Sequence, residues 1–158
     1  MVVAGRSVAW ERRLAFYLLQ DRSITAATAI NVDIDSLELA ATPLLDLGDI
    51  AYMEHIDARV GLNPGQRIDT RIRSQVGTPD RAGLPFVVVA DGARIYVGAF
   101  ISSIDAPYQY GSNVILEDIK PDAFEIIGPP GELSMLGADR RDDPRIERVL
   151  ADSGKYLQ

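Results

Sequence analysis

Two apolar, β-rich runs, Leu84 to Ala90 and Arg94 to Ile101, are separated only by Asp91-Gly92-Ala93. So short a gap leaves room for little but a tight reversal. The Asp-Gly pair supplies two residues that tolerate the positive φ such turns require. The sequence therefore predicts two antiparallel strands joined as a hairpin. Phe86-Val87-Val88-Val89 is apolar without alternation, which points to a strand covered on both faces and placed centrally in its sheet.

Around this hairpin the rest of the chain reads as an α+β fold: a mainly antiparallel sheet with one short helix packed on it, plus N-terminal and C-terminal helices. Val8 to Leu19 spaces Val8, Leu14, Ala15, Leu18 and Leu19 against Glu11, Arg12 and Arg13 as an amphipathic helix would, with Ser7 as its N-cap. For Ser23 to Ala41 a continued helix and a strand around Leu37 to Ala40 both fit. Ala51 to Leu62 alternates Ile56, Ala58, Val60 and Leu62 with polar neighbours, as one half-buried strand. Pro64 opens a helix through Ile68, Ile72 and Val76 that Gly77 ends. Ser102 to Asn113, with Pro107 and Gly111, is a loop before strands at Val114 to Leu116 and Ala123 to Ile127. Past Pro144, residues Ile146, Val149 and Leu150 mark a terminal helix with Asp142 or Asp143 at its start.

A chain of 158 residues is long enough for one domain with a real core. The expected division is a single domain, 1–158, with an N-terminal helical region at 8–41, an α+β core at 49–127 and a C-terminal extension at 128–158. The formal charge is -7, which repels a phosphate backbone and speaks against nucleic-acid binding. There is no Cys, so disulfides, thiolate metal sites and Cys nucleophiles are excluded. Arg12, Arg13, Asp21 and Arg22 interrupt the most apolar early stretch, and no run reaches the length of a membrane span. Met1 to Ala9 lacks a signal-peptide core of adequate length, although a trimmed export signal would leave the same start.

The order of pieces from Asp49 to Leu116 resembles the periplasmic head subdomain of the translocon subunit SecD. The shared features are an Asp-Ile opening, here Asp49-Ile50, a strand at Ala58 to Leu62, a short helix at Pro64 to Val76, and a Gly-apolar run from Gly83 to Asp91-Gly92. An apolar strand at Ile95 to Ile101 and a Gly-containing loop at Ile104 to Leu116 follow. The pattern is also similar to small, uncharacterised bacterial exported proteins and lipoproteins that carry Gly-x-Pro-Phe-Val-Val-Val, Asp-Gly and Ile-Tyr-x-Gly-Ala-Phe. Those positions are Gly83, Pro85 to Val89, Asp91, Gly92, Ile95, Tyr96, Gly98, Ala99 and Phe100 here. The resemblance implies an extracytoplasmic α+β module used for contacts. SecD is a multi-span protein, and the absence of spans here means that no translocase role is implied.

Several residues are candidates for chemistry. His55, the lone His, has an imidazole suited to general-base work, but a surface or structural role is the commoner one. Ser102 and Ser103 follow the second hairpin strand, where a nucleophile can be displayed, and Asp105 completes a conceivable Ser102, His55, Asp105 arrangement. The Gly-x-Ser-x-Gly elbow that would activate the Ser is missing. Asn31-x-Asp33-x-Asp35 begins like a calcium loop but has Ser36 and Thr42 where Gly and Glu are needed. Asp139, Asp142 and Asp143 alternate with Arg140 and Arg141 and read as helix-start chemistry. No Gly-rich phosphate loop is present, and no cofactor is expected. Tyr108 and Tyr110 flank Gln109 in a Pro- and Gly-containing loop. Tyr joins a large apolar area to a hydroxyl, which suits contact surfaces.

The sequence thus points to a non-catalytic binding or assembly module, with Tyr108, Gln109 and Tyr110 as its contact residues and a protein partner or a second copy as its target. The alternatives are a small serine hydrolase using Ser102 or Ser103 with His55, and a structural component of a larger particle.

Overall fold

The computed structural model describes residues 13–54, 58–64, 67–79, 83–102, 112–128, 140–141 and 143–157, with the side chain of Ile68 left aside. The fold is α+β, built mostly of strands. In chain order it comprises β1 (Leu14–Leu18), α1 (Ala26–Ala29), β2 (Leu45–Asp46), β3 (Ile50–Glu54), β4 (Arg59–Leu62) and α2 (Ile68–Val76). Then come β5 (Leu84–Ala90), β6 (Ala93–Ile101), β7 (Asn113–Ile115), β8 (Ala123–Glu125), α3 (Pro144–Asp152) and β9 (Tyr156–Leu157). Where the sequence predicts one sheet there are two, both mixed. The first runs β2-β1-β5-β6-β7, and the second β8-β4-β3-β9. β6 and β7 are parallel, as are β3 and β9.

The two sheets share a core. Phe16 of β1 meets Phe124 of β8 edge-on at 6.1 Å between ring centroids. Phe86 stacks between Phe16 and Phe100 at 5.9 and 4.9 Å. Ile72 and Val76 of α2, and Ile146, Val149 and Leu150 of α3, join the same cluster. Fully burying each such side chain contributes roughly 1.5–3 kcal/mol, which is why these short elements hold their places. The second face of the five-stranded sheet is covered too: Ala26 packs with Ala99, Ile101 and Ile115, while Ala29 and Leu37 pack with Leu19 and Val87. Phe86, Val87 and Val88 are all at most 1% exposed. β5 occupies the third position of its sheet.

Asp91 at φ 54° and Gly92 at φ 82° link β5 to β6. Arg13 Nε donates to Asp91 Oδ1 at 3.0 Å, and Arg13 Nη2 lies 3.5 Å from Asp152, so one guanidinium ties the turn to the end of α3. Gly98 stands opposite Phe86. A Cβ there would overlap the tip of the Phe86 ring, so only Gly allows that ring to cross the strand. Gly61 serves the ring of Tyr52 in the same way.

Three sequence expectations are corrected. Of the helix expected over 8–19, the described part is instead strand β1, followed by the one-turn helix α1, while Ser7 and residues 8–12 lie outside the described residues. Leu14, Ala15, Phe16, Leu18 and Leu19 are all 3% exposed or less. A strand buried on both faces does not alternate, and its apolar run mimics helical spacing. The segment 38–40 then runs beside β1, with Leu39 bridged to Leu19 and the Ala40 N–H donating to the Leu18 carbonyl at 2.9 Å. The single strand expected over 51–62 is two antiparallel strands, β3 and β4, and Ala58 sits at φ 46° just before β4. The helix expected from Pro64 begins at Ile68, after Arg67 in a left-handed conformation. The preceding turn is held elsewhere, since Asn63 donates from its backbone to Asp49 and from its side chain to Gly48. Among the described residues no helix is long and apolar enough to cross a membrane.

Candidate functional site

Of the residues singled out from the sequence, Ser102 is exposed directly after β6. His55, Ser103, Asp105, Tyr108, Gln109 and Tyr110 lie outside the described residues. Asp33 caps the 3-10 turn Ile34–Ser36 through the Asp35 N–H at 3.1 Å, which gives this acidic stretch a local structural role. Asp139 and Asp142 also lie outside the described residues. Asp143, 8% exposed, is the N-cap of α3. It accepts from the backbone N–H of Arg145 at 2.9 Å and from the Arg145 side chain at 3.0 Å, with Arg140 at 3.2 Å. These bonds, the Arg145 side chain foremost, hold its carboxyl well below the usual carboxylate range even though burial acts the other way. Among the described residues no group of three or more His, Asp or Glu is placed to hold a metal ion.

The three contact candidates lie in sequence between Ser102, exposed just after β6, and Ser112, which is only 3% exposed. The Ser112 carbonyl accepts the Ala99 N–H at 2.9 Å. Asn113, equally buried, exchanges two 2.8 Å backbone bonds with Ile127. This Asn113–Ile127 bridge joins the edge of the first sheet to the chain leaving the second.

Beside the bridge the strands part, and the 3-10 turn Leu116–Asp118 carries the chain around a cleft of about 240 Å³. Its apolar lining is Ile115, Phe124 and Ile127, the last 38% exposed. Four charges stand on its walls: Arg59, Asp118, Lys120 and Glu125. None of them forms an ion pair or side-chain hydrogen bond with another described residue. Arg59 and Glu125 are nevertheless directly opposite each other on β4 and β8.

The backbone here is open as well. The Asp122 carbonyl accepts from Leu62, and the Ile126 N–H donates to Ala58. By strand alternation, Phe124 bonds β4, whereas Glu125 turns its N–H and C=O away from β4 toward the cleft. Continuing the Asn113–Ile127 ladder by one step would pair Ile115 with Glu125, but the two are not paired.

A larger cleft of about 510 Å³ lies among Arg22, Thr25, Val76, Thr78 and Leu84. Much of its polarity is committed locally. The Arg22 guanidinium donates to the Gln75 carbonyl, Ser23 Oγ donates to Asp21 at 2.6 Å, and Thr25 caps α1.

Arg59, Asp118, Lys120 and Glu125 carry no signal in the sequence. They come from three stretches that only the β4–β8 register brings together. No protein-family model matches this chain, and neither the curated proteins nor the solved structures contain a match.

Proposed function

We propose that this chain is a non-catalytic binding or assembly module that works outside the cytoplasm, with the Tyr108 to Ser112 loop as its contact surface. One observation supports this reading: the residues flanking 103–111 are firmly held, β6 ending at Ile101 on one side and Ser112 and Asn113 following on the other. Those two residues are both buried and hydrogen-bonded to two different strands or their extensions. A loop rooted on a rigid frame is the usual way to present recognition residues. The Asp91–Gly92 hairpin is the core of that frame. The extracytoplasmic setting follows from the resemblance to the SecD head and to exported proteins. The other surface belongs to a protein partner or a second copy of the chain.

The test replaces Tyr108 and Tyr110 together with Ala. The melting temperature should stay within about 2 °C, corresponding to less than about 1 kcal/mol. Association, followed by light scattering for self-assembly and by crosslinking in the native host for a partner, should weaken. Unchanged association accompanied by a large loss of stability would overturn the proposal.

A further inference from the structure

We propose that the cleft between β7 and β8 binds a small zwitterion of the amino-acid type, an apolar body carrying one carboxylate and one ammonium. The proposal does not depend on the contact role given to Tyr108 and Tyr110.

Size is the first constraint. At about 240 Å³ the cleft falls below the roughly 300–1,000 Å³ of sites that enclose drug-sized ligands. A single amino-acid unit therefore suits the cleft better than a nucleotide or a large cofactor. Charge is the second. Arg59 and Lys120 bring two positive charges, and Asp118 and Glu125 two negative ones, so a singly charged ligand would meet repulsion as well as attraction. The charges have not cancelled one another. Arg59 and Glu125 form a non-hydrogen-bonded cross-strand pair, the closer of the two antiparallel spacings at about 4.5 Å between Cα atoms, yet their side chains are not joined. A dipolar ligand set between them satisfies both signs at once: its carboxylate faces Arg59 and Lys120, and its ammonium faces Glu125 and Asp118.

The backbone is the third constraint. The outward N–H and C=O of Glu125 offer a donor and an acceptor side by side, which match a carboxylate and an ammonium on one carbon. Ile115, Phe124 and Ile127 supply an apolar wall for the side chain, and the partial exposure of Ile127 leaves apolar surface for a ligand to cover.

The experiment titrates the full chain by calorimetry and thermal shift with L-leucine, L-leucyl-L-leucine and N-acetyl-L-leucinamide. Saturable binding of L-leucine supports the proposal. A preference for leucine over the dipeptide is expected, because the dipeptide is larger than a single unit and carries its ammonium and carboxylate on different carbons. The capped amide, which lacks both charges, should not bind. Arg59→Gln with Lys120→Gln, and separately Asp118→Asn with Glu125→Gln, should each weaken binding at least about tenfold. All four positions are on the surface side of the fold, and an unchanged melting temperature without ligand verifies that the variants are intact. Tyr108→Ala with Tyr110→Ala is scored on association alone, so that failure of the loop's role and failure of this site read out separately. Three results would overturn the proposal: no saturable signal up to about 10 mM, where even a Kd of about 1 mM would show; equal binding of the capped amide; or unchanged binding by both charge variants.

Discussion

Gly98→Ala should be among the most damaging single-methyl additions in this chain. The new Cβ would collide with the tip of the Phe86 ring, closest at Cζ and 2.7 Å from Cε1 and Cε2, against about 3.5–4.0 Å for a comfortable carbon–carbon contact. The ring must therefore retreat by more than about an ångström. It has nowhere to go: Phe86 is 0% exposed, with Phe16 and Phe100 centred 5.9 and 4.9 Å away. Overpacking costs typically about 1–3 kcal/mol, and a ring pinned from both sides belongs at the upper end. For a chain of this size, about 3 kcal/mol lowers the melting temperature by roughly 6–12 °C. Urea unfolding followed by circular dichroism measures the loss. Phe86→Leu, which shortens the obstructing ring, should cost less in the Gly98→Ala background than alone, with a coupling of about 1–2 kcal/mol. Gly92→Ala is the control, because nothing lies within 4 Å of its Cβ position and only its φ of 82° opposes a side chain. Its cost of about 1–2 kcal/mol should be indifferent to Phe86→Leu. A Gly98→Ala protein within about 0.5 kcal/mol of the parent, or strict additivity with Phe86→Leu, would refute the packing argument.

Asp143→Ala should cost about 1–2 kcal/mol by removing the cap of α3, read as a drop in urea midpoint at pH 7. The Asp143 carboxyl titrates lower in the folded than in the unfolded chain. Its contribution is therefore complete above the unfolded value near pH 4 and fades as the pH falls below it; Asp143→Asn should flatten that part of the stability–pH curve. Asp91→Val places a β-branched side chain at φ 54° and removes the partner of Arg13, so a loss of about 1–2 kcal/mol is expected. Asp91→Asn, which tolerates that φ, should stay within about 1 kcal/mol of the parent because the ion pair is partly exposed. A fluorophosphonate probe should leave Ser102 unlabelled, as intact-mass measurement would show, if the chain is a binding module rather than a hydrolase.

What can be read from the residues alone depends on how local the cause is. The apolar runs around Asp91 and Gly92 lie where β5 and β6 pair, because turn chemistry and strand propensity are written within about twenty residues. Asp143 and Pro144 mark the start of α3 for the same reason. β1 escapes such a reading because its partners, β2 and β5, lie far along the chain, and because residues on both of its faces, Leu14, Phe16 and Leu18 on one and Ala15 on the other, are buried under distant elements. Ala58 hides the turn between β3 and β4, since Ala gives no sign that it will adopt positive φ. The zwitterion cleft is out of reach for a stronger reason: Arg59 and Glu125 are 66 positions apart, and only the register of β4 on β8 makes them neighbours.

The place of β1 in its sheet sets a waiting time during synthesis. Its inner neighbour β5 begins at Leu84, 66 residues after β1 ends at Leu18. At about 5–20 residues per second, a ribosome needs roughly 3–13 s to deliver it. Throughout that interval Leu-Ala-Phe-Tyr-Leu is emerging chain with two sticky faces and, at most, the two-residue β2 to pair with. A chaperone that shields short apolar strands should therefore raise the yield of this protein more than one that acts on finished folds.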